Sequence, residues 1–172
     1  MPNELDDFLS QQKERLAKKD EKEAQAERES AGKRNIFEPK FQELMRDVIH
    51  PAMVNILDKL RRHSNYSAKV LHEPKAHQKP PSFYPNERYE IHPGSGKYFI
   101  LSVEGNYDLQ KVCVDTEYFE SFRENGESKA RTLKKTEEKY ELSETTHALL
   151  EAVVVKGIKE IMPSTEELRE NS

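Results

Sequence analysis

A change in residue composition near Ile36 sets the strongest limit on how this chain can fold. Residues 10–34 carry fourteen charged side chains and almost no large apolar one, whereas apolar side chains recur regularly from Phe37 onward. A segment with so little apolar surface has little to bury in a core, although its alanine, lysine and glutamate content favours helix. The sequence therefore predicts a charged N-terminal arm, helical or disordered, over residues 1–35.

The remainder of the chain is predicted to form one domain over residues 36–163, followed by a disordered tail over residues 164–172. Of the 172 residues, 34% are hydrophobic and 35% are charged, and most of the aromatic and β-branched side chains lie within the predicted domain. About 130 residues are enough to bury one core. No second core is needed to account for the chain.

The domain begins with a long helix, predicted from Ile36 to about Arg62. Apolar side chains repeat there at intervals of three and four residues, with charged side chains on the opposite side. Pro51 lies inside this pattern and lacks a backbone N–H, so we expect a kink near His50 or a break into two helices. The apolar stripe continues across the proline, which favours a kink. It comprises Phe37, Phe41, Leu44, Met45, Val48, Ile49, Ala52, Met53, Ile56, Leu57 and Leu60.

From Tyr66 the apolar spacing changes to every second residue, which predicts β-strands. Prolines are frequent between Pro74 and Pro85, and this segment is therefore predicted to be a loop. Glycines in Pro93–Gly96 and at Gly105 favour tight turns, so consecutive strands should form an antiparallel meander. The predicted strands are residues 66–72, 88–92, 97–103 and 107–114.

The end of the domain is predicted to hold a short strand and a helix. Residues 139–142 fit a fifth strand, and the polar residues 125–135 before it fit a loop. Ser143 is a suitable N-cap for a C-terminal helix that runs to about Met162, before Pro163. The aromatic side chains of Tyr118, Phe119 and Phe122 are expected to pack as a corner after the fourth strand. The predicted fold class is α+β, with a long helix and a C-terminal helix packed on an antiparallel sheet of four or five strands.

Composition limits the classes of function. The formal net charge is −4 and the pI is near 5.9, which argues against wholesale wrapping of nucleic acid. Cys113 is the single cysteine, so no intramolecular disulfide can form, and the N-terminal residues lack the pattern of a signal peptide. The longest apolar run, Ala152–Val155, is far shorter than a membrane helix requires. These features predict a cytoplasmic protein with no membrane contact.

The sequence carries no specific signature of an enzyme. Gly94–Lys97 matches only the end of a phosphate-binding loop, because Tyr98 stands where the motif needs Ser or Thr. Ser95 lacks the full spacing of a nucleophile elbow. Cys113 lies between two valines, as is typical of a buried thiol, and the six histidines form no cluster with metal-ligand spacing. We therefore expect no catalytic residue, no cofactor and no metal site.

The arm carries the clearest candidate for a binding surface. In a helix, apolar side chains at offsets of 3, 4 and 11 lie on one face, and an amphipathic helix binds a groove through such anchors. A solvated tether and a dimeric coiled coil are the alternatives, although no apolar heptad seam continues along the whole arm. The partner-docking candidates are Leu5, Phe8, Leu9 and Leu16.

Nucleic acid is a second candidate partner. The chain has three basic segments. One ends the long helix, one lies in the proline-rich loop beside Phe83 and Tyr84, and one lies near residue 130. If they converged, they would form a basic patch with aromatic stacking partners. The alternative is solvated loops whose lysines are balanced by nearby glutamates. The candidate residues are Arg61, Arg62, Lys75, Lys79, Lys129, Arg131, Lys134 and Lys135.

We therefore predict a non-catalytic protein–protein interaction or adaptor protein that uses its N-terminal arm as a docking element or tether. Val153–Val155 exceed the width of one helix face, and with the length of the first helix they suggest self-association, with a homodimer favoured. A nucleic-acid-associated accessory factor is the alternative interpretation. An uncharacterised enzyme is the third.

Overall fold

The computed structural model describes residues 4–72, 82–83, 87–94 and 96–162 of the chain. Three α-helices and six β-strands lie in these ranges, and they form an α+β fold with two helical segments packed on an antiparallel sheet. The predicted fold class is confirmed. The predicted tail at residues 164–172 and most of the predicted loop at residues 74–85 lie outside the described residues.

The first helical segment is longer than predicted and does not stop at the predicted arm boundary. Helix α1 spans Glu4–Leu44, a π turn follows at Met45–Ile49, and helix α2 spans His50–Arg61. The N–H of His50 bonds to the carbonyl of Met45, which closes the wide turn one residue before Pro51. The disturbance expected near His50 is thus a π turn, which changes the hydrogen-bond register where proline supplies no donor.

The strands form one antiparallel sheet in the order β1-β3-β4-β5-β6, and the short strand β2 also pairs with β4. The predicted antiparallel order is therefore confirmed for β1, β3, β4 and β5, whereas most of β6 was predicted as a loop. Gly94 and Gly96, with φ of 87° and 74°, lie in the predicted turn between β3 and β4. The strands are β1 at Ser67–His72, β2 at Ser82–Phe83, β3 at Glu87–His92, β4 at Lys97–Asn106, β5 at Lys111–Glu124 and β6 at Glu127–Tyr140.

The last two strands correct several sequence predictions. Gly105 and Asn106 lie inside β4, and the turn follows at residues 107–110. The expected aromatic corner is part of β5, and most of the expected polar loop at residues 125–135 belongs to the 14-residue strand β6. Asn125 and Gly126, with φ of 54° and 83°, make the tight turn between them. An Asn-Gly pair is a strong hairpin signal, which the sequence analysis did not weigh.

Charge pairing explains why strand β6 lacks the expected apolar alternation. Its side chains are mostly exposed, and two of its lysines and its arginine form ion pairs with carboxylates of β5. Such cross-strand pairs support a sheet without burying apolar surface. The pairs include Arg131 with Glu120, Lys129 with Glu124 and Lys135 with Glu117.

Helix α3 spans His147–Ile161 and begins later than the predicted cap. Ser143 lies in a single 3-10 turn, and the N-cap is Thr146, whose side-chain oxygen accepts a hydrogen bond from the N–H of Leu149 at 3.3 Å. The proposed cap at Ser143 was therefore wrong. The predicted end of the helix near Met162 agrees with the structure.

The core lies between the helices and one face of the sheet. Phe99, Leu101 and Val103 of β4 are buried on that face, as their alternation predicts. Gly105 continues the same row, and a Cβ there would lie 2.9 Å from the rings of Phe37 and Phe41. The absence of a side chain therefore lets helix α1 approach the strand. The helical core residues are Phe37, Phe41, Met45, Ile49, Ala52, Met53, Ile56, Leu57, Leu150, Val153, Val154 and Ile161.

Candidate functional site

Helix α1 leaves the body of the protein at the turn between β4 and β5. The amide of Gln110 donates to the carbonyl of Lys33 at 3.1 Å, and the guanidinium of Arg34 lies 5.8 Å from the centre of the Tyr107 ring. Ser30 donates a longer hydrogen bond, of 3.5 Å, to Asp108. These contacts hold the middle of the helix against the body and fix the direction in which its N-terminal part extends.

The part of α1 that precedes these contacts is surrounded by solvent. Every residue from Leu5 to Glu29 is exposed except Gln12, which is half-buried. At a rise of 1.5 Å per residue, residues 4–29 extend about 39 Å. From here on, the arm means this segment, Glu4–Glu29, which lies within the predicted arm of residues 1–35.

Four large apolar side chains on the arm lie on one side of the helix. Leu5, Phe8, Leu9 and Leu16 expose 64%, 55%, 54% and 58% of their surface. At 3.6 residues per turn, these four positions fall within an arc of about 100°, with Gln12 in the middle. We call these four side chains the apolar stripe. They are the four residues that the sequence predicts for partner docking, and the structure brings them together on one exposed face.

The arm contains few contacts that would hold it helical by itself. Lys19 and Glu23 form an ion pair of 3.7 Å, and Gln25 donates to Glu29 at 3.1 Å. Such pairs stabilise a helix by only about 0.2–0.5 kcal/mol each. Continuity with the packed part of α1 removes the cost of starting the helix.

Of the candidate nucleic-acid residues that the structure describes, two lie at the C-terminal end of α2, next to the edge strand β1, and four lie in the opposite edge strand. Arg61 donates to Asp58 at 2.9 Å and to the carbonyl of Ala68 in the edge strand β1 at 2.7 Å. Arg62 is exposed beside it, at the end of α2. Lys129, Arg131, Lys134 and Lys135 all lie in β6, the opposite edge strand. Four strand spacings, about 19 Å, separate β1 from β6.

The four candidate residues in β6 also have carboxylate partners. Lys134 pairs with Glu160 at 2.6 Å, and Lys135 pairs with both Asp115 and Glu117. Lys129 and Arg131 pair with Glu124 and Glu120. These contacts neutralise much of the positive charge that a phosphate backbone would require. Lys75 and Lys79 lie outside the described residues.

The sheet face away from the helices carries a charged cluster that the sequence analysis did not identify. Arg88 donates to Ser102 at 2.8 Å and to Glu117 at 3.4 Å. Lys135 lies 3.2 Å from Asp115 and 3.1 Å from Glu117. Oδ1 of Asp115 is buried and has no hydrogen-bond partner among the described residues. In the sequence, the signal was the acidic residues Asp115 and Glu117 within the apolar strand β5. Only the register shows that Arg88 and Lys135 are their neighbours.

Burial changes the titration of two groups on this face. Burial and the nearby charge of Asp115 raise the pKa of Glu104 to about 7. Burial, with a smaller contribution from Glu137, raises the pKa of Cys113 to about 11. The thiol is therefore protonated at neutral pH and is a poor nucleophile. Its buried position agrees with the structural role predicted from the sequence.

Three aromatic rings cross the same face but are stacked on one another. The His92 and Tyr98 ring centres lie 4.4 Å apart, and those of Tyr98 and Phe119 lie 5.0 Å apart, with nearly parallel planes in both pairs. His92 also contacts Glu90 at 2.7 Å. Because each ring covers the face of its neighbour, this stack differs from an aromatic platform that holds separate bases.

Two further properties concern the described residues only. No group of three or more histidine, cysteine, aspartate or glutamate side chains is arranged there to hold a metal ion. None of the described helices has the length and apolar character needed to cross a membrane. Comparisons of the chain with protein-family models, with curated proteins and with solved structures found no match.

Proposed function

We propose that this protein is a non-catalytic interaction protein whose body holds out a helical arm that binds another protein chain. The observation that carries this proposal is the apolar stripe. Leu5, Phe8, Leu9 and Leu16 each expose more than half of their surface on one side of a helix whose neighbouring residues are charged. Binding of an amphipathic helix through spaced apolar anchors is a common mode of protein recognition.

The energy available from the apolar stripe suits a reversible contact. Burying the exposed part of a leucine or phenylalanine side chain contributes about 1 kcal/mol or more. Four such side chains exceed the gain from the local charge pairs in the arm, but they must also offset the freedom lost on association. The arm is therefore suited to recruit a partner rather than to form a permanent complex.

The anchoring of α1 supports the same proposal. Arg34, Gln110 and Ser30 connect the base of the arm to the turn between β4 and β5. A helix that is fixed at its base presents its apolar stripe in a defined direction, and this lowers the conformational entropy lost on binding. A solvated tether would require neither the apolar stripe nor the anchored base.

The test compares proteins captured from a native lysate by three tagged forms of the full chain. They are the unchanged chain, a stripe variant with Leu5→Gln, Leu9→Gln and Leu16→Gln, and a control with Ser10→Gln, Glu14→Gln and Lys18→Gln. The control places three glutamines on the opposite side of the arm and keeps the net charge. Untagged copies of the chain in the same lysate report self-association.

We expect the unchanged chain and the control to retain the same proteins after nuclease treatment, and the stripe variant to lose them. Equal retention by all three forms would refute the proposal. Retention that nuclease abolishes for all three forms would instead favour the nucleic-acid interpretation, and binding to oligonucleotides would then fall steeply with added salt.

A further inference from the structure

The order of charges along the arm indicates what covers the apolar stripe. The acidic residues Glu4, Asp6 and Asp7 lie in its first turn, and the basic residues Lys13 and Arg15 lie about two turns later, on either side of Glu14. A surface whose two ends carry opposite charge is complementary to a copy of itself that runs in the opposite direction. From this complementarity we propose that the partner of the arm is the arm of a second copy of this chain, paired antiparallel. This inference rests on the proposed function of the apolar stripe.

The spacing of the apolar stripe fits a short helix–helix seam. Leu5, Leu9, Gln12 and Leu16 follow one another at intervals of four, three and four residues, which is the spacing of the buried positions in a coiled coil. In an antiparallel pair, Leu5 meets Leu16 of the second copy, and Leu9 meets Gln12 of the second copy. Each contact occurs twice because of the two-fold axis.

The residues that flank this seam are complementary in the same alignment. Asp6 lies beside Lys13 of the second copy, and Phe8 lies beside Arg15 of the second copy. The first contact joins opposite charges, and the second places a guanidinium against an aromatic ring. The sign of these charges follows from the sequence alone.

A parallel alignment of the arms is disfavoured. The seam positions after Leu16 are Lys19 and Glu23, and both are exposed in the single chain. Parallel helices would place Lys19 against Lys19 and Glu23 against Glu23, so like charges would face each other. Antiparallel arms overlap over residues 4–17 only, and these two positions stay in solvent.

The antiparallel pairing determines the shape of the dimer. The two bodies lie at opposite ends of the paired arms, with the two copies of residue 30 about 58 Å apart at 1.5 Å per residue. A parallel pair would place the bodies side by side. Because the apolar stripe offers only four large side chains from each copy, the interface is small, and the dimer should dissociate in the micromolar range or above.

Sedimentation equilibrium of the full chain tests the proposal, with small-angle X-ray scattering to measure shape. We expect a monomer–dimer equilibrium that Leu9→Gln with Leu16→Gln abolishes and that Glu14→Gln with Lys18→Gln leaves unchanged. Asp6→Lys and Lys13→Asp should each weaken the dimer by about threefold or more. Because the double reversal recreates both charge pairs in the opposite sense, it should restore the unchanged affinity. Scattering should show an elongated dimer with two separated bodies.

Several outcomes would overturn the antiparallel pairing. They are a monomer at several hundred micromolar, a dimer that survives the stripe substitutions, a double reversal that does not restore affinity, and a compact dimer. A monomeric chain that still captures other proteins through the apolar stripe would overturn this inference and leave the proposed function in place. A monomeric chain whose captured proteins are unaffected by the stripe substitutions would refute both.

Discussion

Gly157 of helix α3 faces the ring of Phe99 in strand β4, and a Cβ at Gly157 would lie 2.8 Å from the ring. Phe99 is fully buried, so its ring cannot move into solvent. The missing side chain thus lets helix α3 lie directly on the sheet, and this contact gives the first prediction.

Gly157→Ala should lower the free energy of unfolding by about 1–3 kcal/mol, because the added methyl group overpacks the core against Phe99. The matched control is Gly32→Ala, since Gly32 is also helical but has no heavy atom within 4 Å of the position its Cβ would take. That change should raise the stability by up to about 1 kcal/mol through helix propensity. Urea unfolding of both variants measures the difference. Equal effects of the two substitutions would show that the contact with Phe99 is not tight.

Glu104 should make the stability of the protein depend on pH. Its pKa rises from its ordinary value of 4.5 to about 7 in the folded chain, mainly because it is buried. The folded state therefore holds this proton more tightly than the unfolded state. Stability from this group is fully present below about pH 4.5 and is lost as the pH rises through about 7.

Glu104→Gln should remove this dependence. Because Glu104 is partly solvated, we expect the variant to gain at most about 2 kcal/mol over the unchanged chain at pH 8, and no more than a small difference at pH 4.5. Denaturant unfolding across this range measures the gain. Glu127→Gln, at the exposed first residue of β6, is the matched control. A pH-independent difference would contradict the effect of burial on Glu104.

Lys135 should contribute more to stability than its neighbour Lys134. Lys135 bridges Asp115 and Glu117, and the Asp115 side chain is only 14% exposed. Lys135→Ala leaves a buried carboxylate without its cation and should cost about 1–2 kcal/mol. Lys134→Ala breaks a pair with Glu160 in which both side chains are more than 40% exposed, and should cost about 0.5 kcal/mol or less. Thermal unfolding of the two variants measures the stability that each one loses. Equal losses would contradict the prediction that Lys135 contributes more than Lys134.

Thr146 should be the functional cap of helix α3. Its side chain accepts a hydrogen bond from the N–H of Leu149. Thr146→Ala should lower the free energy of unfolding by about 1 kcal/mol, as is typical for loss of an N-cap. Ser143→Ala should change it by less than about 0.5 kcal/mol, because Ser143 lies in the preceding 3-10 turn. A larger effect of Ser143→Ala in chemical unfolding would place the start of the helix at the earlier residue.

Local patterns in the sequence predicted the packed part of the first helical segment, the presence of helix α3, and strands β1, β3 and β4. The apolar repeat from Phe37 to Leu60 predicted a long helix because one helix face must be buried continuously. Phe99, Leu101 and Val103 predicted the buried face of β4 because alternate side chains of a strand lie on the same face. The apolar stripe of the arm was also predictable, since it depends only on spacing within one helix.

Tertiary structure decided the features that depend on pairing between distant residues. Strand β6 is held by charges across from β5, so its own sequence resembles a polar loop, and the partners of Lys135 become known only from the register. The same register places Glu104 near Asp115, and burial then raises the pKa of Glu104. Strand order likewise places the basic residues of β6 at the edge of the sheet opposite β1. Periodicity within a segment records which face is buried, whereas strand order and register depend on contacts between segments, which periodicity does not encode.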